Sequence, residues 1–368
     1  MGPRSMPLVS VVTPVYNNAE YIAECIESVL AQTYQHWDYT IVNNCCTDGS
    51  AEIARHYAAK DPRIRVLDND VFLRAIPNHN KALQQISPDS RYCKVVFADD
   101  WIYPRCLEKM VSVAEEYPSV GLVGAYALQE VGEGPSKRQE IVWTGLPPSS
   151  NMYSGREVCR RLLFDWLYVF GTATSLLYRS DLVRAHDPFF NESNLHADME
   201  VCVQLLKTSD FGFVHETLTF KRWRPQSLGV LTADLYTTIA GHLQILVGHG
   251  RDFLSEKEFE EFLSRRVAEY YNFLGVSLMR GRRDRKFWEY HQRKLTEAVG
   301  SFSRVRLAGA ILARLGKALI SPHESFAKLW RKEINEHAEG HAGGSANPVA
   351  KQVLAGHTGN AVGRRAKG

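Results

Sequence analysis

The sequence has no uncharged apolar stretch of about 18 residues, so no segment reads as a helix that spans a bilayer. Cysteine is sparse and odd in number: seven residues, with Cys45 and Cys46 adjacent and no C-x-x-C pair. That excludes a disulfide framework and a zinc site, and reads as reduced, cytoplasmic thiols. The first five residues have no apolar run behind them and are not expected to form a secretory signal. Charge of one sign is also missing. Lys and Arg number 44 against 41 Asp and Glu, a net charge of +3, too weak to argue for nucleic acid as a partner. What remains is ordinary globular composition, 45% hydrophobic and 23% charged over 368 residues. Such a chain holds one large domain with an appendage, or two domains, and needs no metal or disulfide staple.

The apolar pattern places a buried strand over residues 8–12, ended by Pro14. Tyr21, Ile22, Cys25, Ile26, Val29 and Leu30 then recur at helical spacing. Further strands are expected at 39–42, 64–67, 95–98 and 121–127, and helices at 50–60, 77–83 and 104–117. Asp48 or Ser50 is the expected cap of the second helix. This alternation predicts an α/β fold whose sheet has parallel neighbours and helices on both faces. In such sheets ligands sit at the carboxyl ends of the strands. Residues 14–18, 43–50 and 99–100 all fall at such ends. From about 232 to 319 the pattern is mostly helical, and beyond 339 the chain turns rich in Gly, Ala and Asn, a composition expected to stay disordered.

Four segments hold side chains able to do chemistry, and each has a plainer reading. Asp99 and Asp100 repel each other at a strand end and suit a divalent cation beside a polyphosphate, or they cap the helix that Pro104 opens. NNCCTDGS, residues 43–50, brings small polar groups and backbone close to a nucleotide, or it is a strand–helix turn capped by Asp48. Asp198, in HADMEV, opens an apolar helix as a reactive acid or as a cap that answers the helix dipole. Lys221, Arg222, Trp223 and Arg224 form a phosphate clamp or a solvated strand end.

In order and spacing, the segments VSVVTPVYNNAEYIAECIESVLAQTY, IVNNCCTDGSAEIA, IPNHNKAL, VVFADDWIYPRCLEKM, FGTATSLLYRSDLV and PFFNESNLHADMEVCVQLL resemble the family two glycosyltransferases of GT-A fold. The resemblance runs from about residue 7 to 227. It implies a GT-A, Rossmann-like mixed sheet with helices on both faces over residues 7–230. A helical region over 231–335 and a tail over 336–368 would follow. It also implies transfer of a sugar, with inversion, from a nucleoside-diphosphate sugar to a hydroxyl acceptor in bacterial surface glycan assembly. Pro14, Val15 and Tyr16 would then border the nucleobase, Asn44 would face its polar edge, and Asp48 would help shape that pocket. Asp99 and Asp100 would hold Mn2+ or Mg2+, Arg222 and Arg224 would reach the diphosphate, and Asp198 would be the general base. A flexible loop over 224–228 would close on the donor.

Two segments depart from the family pattern. Asn43 and Asn44 stand where aspartates are usual, and Phe97 replaces the first acid of D-x-D. An Asn amide still pairs with uracil or thymine, which favours a UDP or dTDP sugar. The departures keep one alternative open, a degenerate sugar-nucleotide-binding protein. A second alternative is a nucleotidyltransferase. Its glycine-rich basic loop is missing from TPVYNNAEY, as is the G-x-G-x-x-G of an NAD enzyme.

Near the C-terminus, Val305, Ala308, Ile311, Leu312, Leu315 and Leu319 share one helix face flanked by Arg304, Arg306, Arg314 and Lys317, with Lys328, Arg331 and Lys332 beyond. Such a helix lies on the inner face of an anionic membrane, near a lipid-linked glycan acceptor, or it docks on the fold or on a second copy of the chain.

Overall fold

The structure is a computed structural model that describes residues 6–224, apart from 133, 135 and 136, and residues 232–320. Its strands are β1 (Val9–Val15), β2 (Trp37–Asn43), β3 (Ile64–Asp68), β4 (Tyr92–Val95), β5 (Trp101–Ile102), β6 (Val120–Val131), β7 (Arg138–Val142), β8 (Met152–Tyr153), β9 (Leu176–Arg179) and β10 (Asp210–Lys221). The helices between them are α1 (Ile22–Leu30), α2 (Ser50–Ala58), α3 (Ala75–Leu83), α4 (Cys106–Glu116), α5 (Gly155–Asp165), α6 (Ser180–Arg184) and α7 (Ala197–Leu205). Four more follow the sheet: α8 (Thr237–Phe253), α9 (Glu256–Met279), α10 (Arg285–Val299) and α11 (Arg304–Ile320).

The strands form one mixed sheet in the order β3-β2-β1-β4-β9-β6-β10-β5, with β7 on β6 and β8 on β10. β3, β2, β1 and β4 run parallel, β9 runs antiparallel to β4 and β6, and β10 runs parallel to β6. The sheet has a buried core on each face, so its central strands are apolar on both sides, and every residue of β1 is buried. α1 covers one face with Ile22, Cys25, Ile26 and Val29, the spacing that puts four side chains on one stripe. This is the α/β mixed sheet expected from the sequence, followed by helices.

Two strand boundaries differ from expectation. β1 continues through Pro14, which pairs with Val42. The Val12 carbonyl faces Val96, so the backbone of Pro14, two residues on, faces the side where β4 has already ended. Its missing N–H therefore breaks no ladder bond. Conversely, the strand expected at 95–98 leaves the sheet after Val95, because the Phe97 N–H is taken by the Thr174 hydroxyl at 3.1 Å. At α2 the capping residue is Gly49 at φ 94°, and Asp48 accepts from the Ser50 N–H and hydroxyl.

The division expected at 230/231 falls among undescribed residues. The helices beyond it are continuous with the sheet's core: Ile245, Leu246, Phe253, Phe259 and Phe262 join the cluster that holds α5 and α7. A second cluster, built on Tyr270, Leu274, Phe287 and Leu295, ties α8, α9 and α10 together. α11 leans on α9 through Leu307, Ala310 and Ile311, with Ile311 against Gly275. Val305 and Leu312, at 82% and 67% exposure, point outward with Leu315. The apolar face expected on this helix is thus divided. Ile311 docks, with Leu307 and Ala310 beside it, while Val305, Leu312 and Leu315 stay bare. Side chains 317–320, the 224–228 loop beyond Arg224, the cluster at Lys328, Arg331 and Lys332, and the 336–368 tail lie outside the described residues.

Gly155 opens α5 where the chain crosses the end of α7. A Cβ there would sit inside contact distance of the Ser209 carbonyl and 2.7 Å from that of Leu206. Both obstacles are backbone, so neither can rotate away. Gly155→Ala is expected to lower the unfolding free energy by about 1–3 kcal/mol, the usual cost of overpacking. Urea denaturation checks this, and a change within 0.3 kcal/mol would show that the α5–α7 contact yields freely.

Candidate active site

The carboxyl ends of β1 and β2 open onto a cleft whose loops are knitted by side chains. Asp48 accepts from the Ala19 N–H at 2.9 Å, the Ser50 hydroxyl from the Asn18 N–H at 2.8 Å, and Asn17 from the Thr47 N–H at 2.9 Å. Pro14 and Val15 are buried beneath this loop, and Tyr16, exposed, meets Phe72 at 4.7 Å between ring centroids. Phe72 is a partner the sequence reading missed, since nothing in the spacing joins residues 16 and 72.

Asn44 is buried and turned inward. Its carbonyl accepts from the Leu73 N–H at 2.9 Å and the Asn69 amide at 3.0 Å, and its amide donates to the Leu73 carbonyl at 2.8 Å. One amide hydrogen is left for anything in the cleft. Asn43 likewise holds Asp68 at 2.7 Å and the Cys46 N–H at 3.1 Å. Neutral amides at these positions fasten the 69–73 segment without adding charge.

The acids expected to hold a metal sit beside the basic cluster. Asp100 is buried and accepts from the Arg222 N–H at 3.0 Å and from the Thr174 hydroxyl. Its carboxyl is pushed up to about 7, first by burial and then by the charge of Asp99. Asp99 pairs with Arg224 at 3.3 Å, and its carbonyl accepts from Arg222 Nε at 3.0 Å. Both guanidinium groups also lie over the Tyr21 ring, Arg222 bonds Glu24, and Arg224 bonds Asn18. Where D-x-D would carry its first acid, Phe97 stacks on His79 at 4.7 Å, and burial pushes that imidazole down to about 4, so it is neutral.

Two adjacent hard-oxygen donors suit Mg2+ or Mn2+, which bind through one or two carboxylates and complete their shell with phosphate and water. The mutual repulsion that raises Asp100 is the charge such a cation would offset. Among the described residues no set of three His, Cys, Asp or Glu side chains converges on one point, so phosphate oxygens would have to finish the shell.

A buried lysine holds this segment in place. Lys94, in the middle of β4, donates to the carbonyls of Thr174 and Leu176. Thr174 in turn takes the Phe97 N–H and bonds Asp100. The signal for this support was a charge inside the apolar run YCKVV, which the sequence reading passed over.

Asp198 stands in the first turn of α7, where it accepts from the Met199 N–H at 2.8 Å. Burial raises its carboxyl, and His196, that N–H and Lys221 oppose the rise. His196 reaches Thr237 of α8 at 3.2 Å, and its ring lies so close over Gly241 that a Cβ there would strike it. Lys221 is drawn by Asp100, Asp198 and Asp99 together. Asp99, Asp100, Asp198, Lys221, Arg222 and Arg224 thus stand near one another, and the residues expected to border a nucleobase lie on the neighbouring loops.

Residues 10–185 match the model of the family described as glycosyl transferase family 2. TuaG of Bacillus subtilis, whose name places it in teichuronic acid biosynthesis, is 38% identical over 110 residues, 30% of this chain and 43% of TuaG. Glycosyltransferase GlyG of Streptococcus pneumoniae is 30% identical over 127 residues, 34% of this chain and 42% of GlyG. The matches thus span less than half the length of these relatives. Among solved structures, S. aureus TarS in complex with UDP-GlcNAc superposes with a TM-score of 0.58 at 15% identity, over 92% of this chain and 91% of that one. At that identity the likeness establishes the fold.

Because Asp100 has a folded value above that of an unfolded aspartate, the folded chain keeps a proton that the unfolded chain has released between about pH 4 and 7. Stability that this group contributes at low pH is therefore lost as pH rises through 7. In chelator, the wild type should lose stability relative to Asp100→Asn between pH 5 and 8, by at most about 3 kcal/mol. Urea unfolding at the two pH values measures it, and an opposite slope would reverse the assignment.

Proposed function

With residues 10–185 forming a glycosyl transferase family 2 domain, we propose that this chain is an inverting glycosyltransferase that moves a sugar from a nucleoside-diphosphate donor to a hydroxyl acceptor. One observation carries this. A half-buried carboxylate, Asp198, stands near an acidic pair and two guanidinium groups suited to a diphosphate. TarS, of the same fold, takes UDP-GlcNAc, which supports a uridine or thymidine donor here. The relatives' role in surface polysaccharides supports a glycan or lipid-linked acceptor.

The reaction is one in-line displacement. Asp198 takes the proton of the acceptor hydroxyl as that oxygen bonds the anomeric carbon, and the bond from that carbon to the diphosphate oxygen breaks on the opposite side. Burial raises the carboxyl of Asp198, which makes it a stronger base than a solvated aspartate, while His196, the Met199 N–H and Lys221 oppose that rise. Arg222 and Arg224 receive the negative charge that grows on the diphosphate, so they bind the transition state more tightly than the ground state. Asp99 and Asp100 would hold a divalent cation, which supplies further charge neutralisation when bound. Tyr16 and Phe72 would flank the nucleobase, and Asn44 would shape that pocket by fixing the 69–73 segment.

A binding-only protein is the second reading, motivated by Asn43, Asn44 and Phe97. The enclosed Asp198 with its opposing His196 and Lys221 favours catalysis, since binding alone needs no base. Asp198→Asn separates the two. Transfer, or donor hydrolysis in Mn2+, should fall by about 10²–10⁴-fold, the usual worth of a general base. UDP affinity by calorimetry should stay within about twofold. Unchanged turnover in this variant would remove Asp198 from the mechanism.

Among the described residues no helix is long and apolar enough to cross a membrane. α11 carries Arg304, Arg306, Arg314 and Lys317 and no acid, and leaves Val305, Leu312 and Leu315 bare. We place this helix on the anionic cytoplasmic face of a membrane, where it would bring the cleft to a lipid-held acceptor; association with a second copy is the other use of the same face. Vesicles containing anionic lipid should sediment the full chain at low salt, and a chain truncated before Ser303 should remain in solution. A full chain that stays soluble and runs as a dimer would assign α11 to self-association.

A further inference from the structure

β10 ends on Lys221, Arg222 follows it directly, and the two side chains reach different partners. Arg222 turns to Tyr21 and Glu24, the side of the acidic pair and the diphosphate. Lys221 is attracted by Asp198, and its ammonium lies 5.6 Å from the centre of the Trp143 ring. The chain has a second sheet lysine to compare with it. The Lys94 ammonium is fully enclosed and satisfied by two carbonyls. That of Lys221 makes no hydrogen bond or ion pair among the described residues, although Asp100, Asp198 and Asp99 all attract it. The wall beside it is also underused. Trp143 is 5% exposed and held at φ 67°, with its indole N–H against Gly171. Both that N–H and the neighbouring Thr172 hydroxyl are buried without a partner among the described residues.

We propose that Lys221, beside Trp143, is the residue that grips the transferred sugar between the diphosphate and Asp198. This rests on the glycosyltransferase reading. The position is the right one: Lys221 is drawn to Asp100 at the leaving-group end and to Asp198 at the acceptor end, and the sugar passes between those ends. The chemistry selects among sugars. An ammonium offers three donors and no acceptor, while the carboxylates around it only accept. A sugar hydroxyl answers both, accepting from Lys221 while donating to a carboxylate. A sugar that itself bears a carboxylate would satisfy Lys221 but confront Asp100 and Asp198 with a like charge. The subsite therefore fits a neutral, hydroxyl-bearing sugar and disfavours a uronic acid.

The test uses the full chain in Mn2+, with UDP, UDP-glucose, UDP-N-acetylglucosamine and UDP-glucuronic acid as probes. UDP affinity is read by calorimetry and donor hydrolysis by UDP release. Lys221→Met should keep UDP affinity within about twofold, which also shows that the fold survives. Hydrolysis of the neutral donor the wild type uses best should fall about tenfold or more, the worth of a hydrogen bond to a charged group. Lys221→Arg should recover part of that loss, and the wild type should turn over UDP-glucuronic acid at least about tenfold more slowly than its best neutral donor. Equal losses of UDP affinity and turnover would assign Lys221 to the diphosphate and overturn the proposal. So would unchanged hydrolysis in Lys221→Met, or a preference for UDP-glucuronic acid. A wild type that neither binds UDP nor turns over any of these donors would fail at the earlier step, the glycosyltransferase reading itself.

Discussion

Charge balance at the carboxyl ends of β4 and β10 is the constraint on which the cleft depends. Asp100 and Asp198 stand where burial disfavours their charged forms, with Asp99 beside Asp100, and apolar packing alone would not hold them there. They are held because Lys221, Arg222 and Arg224 follow one another off a neighbouring strand, and because backbone N–H groups of Arg222 and Met199 point at two of the acids. The same arrangement leaves the site responsive. Arg222 and Arg224 are paired with Glu24 and Asp99 and could be redirected to a diphosphate, whereas Lys221 makes no ion pair among the described residues.

Beneath that surface layer lies support that makes no contact with the cleft's ligands. Lys94 fixes two carbonyls of the 174–176 turn, and Thr174 passes that order to Phe97 and Asp100. On the far side, α8 backs the Asp198 turn: Thr237 bonds His196, and Gly241 is small enough to admit its ring. The helices after the sheet thus belong to the machinery. Arg160 ties α5 to Glu258 of α9, and Arg266 of α9 donates to the Leu163 carbonyl, so α9 is fastened to the same body that carries Asp198.

How far the sequence could be read follows from the range of each interaction. The alternation of apolar runs in the first 127 residues gave the strands and helices, because period-2 and period-3.6 patterns are local properties. It misplaced the end of β1 and the extent of β4, because those depend on where a neighbouring strand stops and on a hydroxyl 77 residues away. Among site residues, Asp99, Asp100 and Asp198 were legible as acids at strand and helix ends. Asn44 was legible as a loop amide, but not as one turned toward Leu73 and Asn69.

The sequence alone determined the class of fold, the segments that carry the chemistry and their order, since these are written in local pattern and in motif spacing. The tertiary structure alone decided which partners Lys221 and Arg222 reach, which residues of α11 dock on α9, and that Phe72, Lys94 and Trp143 stand beside the candidate site. Those facts depend on strand order and on packing between residues far apart in the chain. The physical reason is that a side chain's partner is set by the sheet's topology, whereas its neighbours in sequence reveal only the period of the element it sits in.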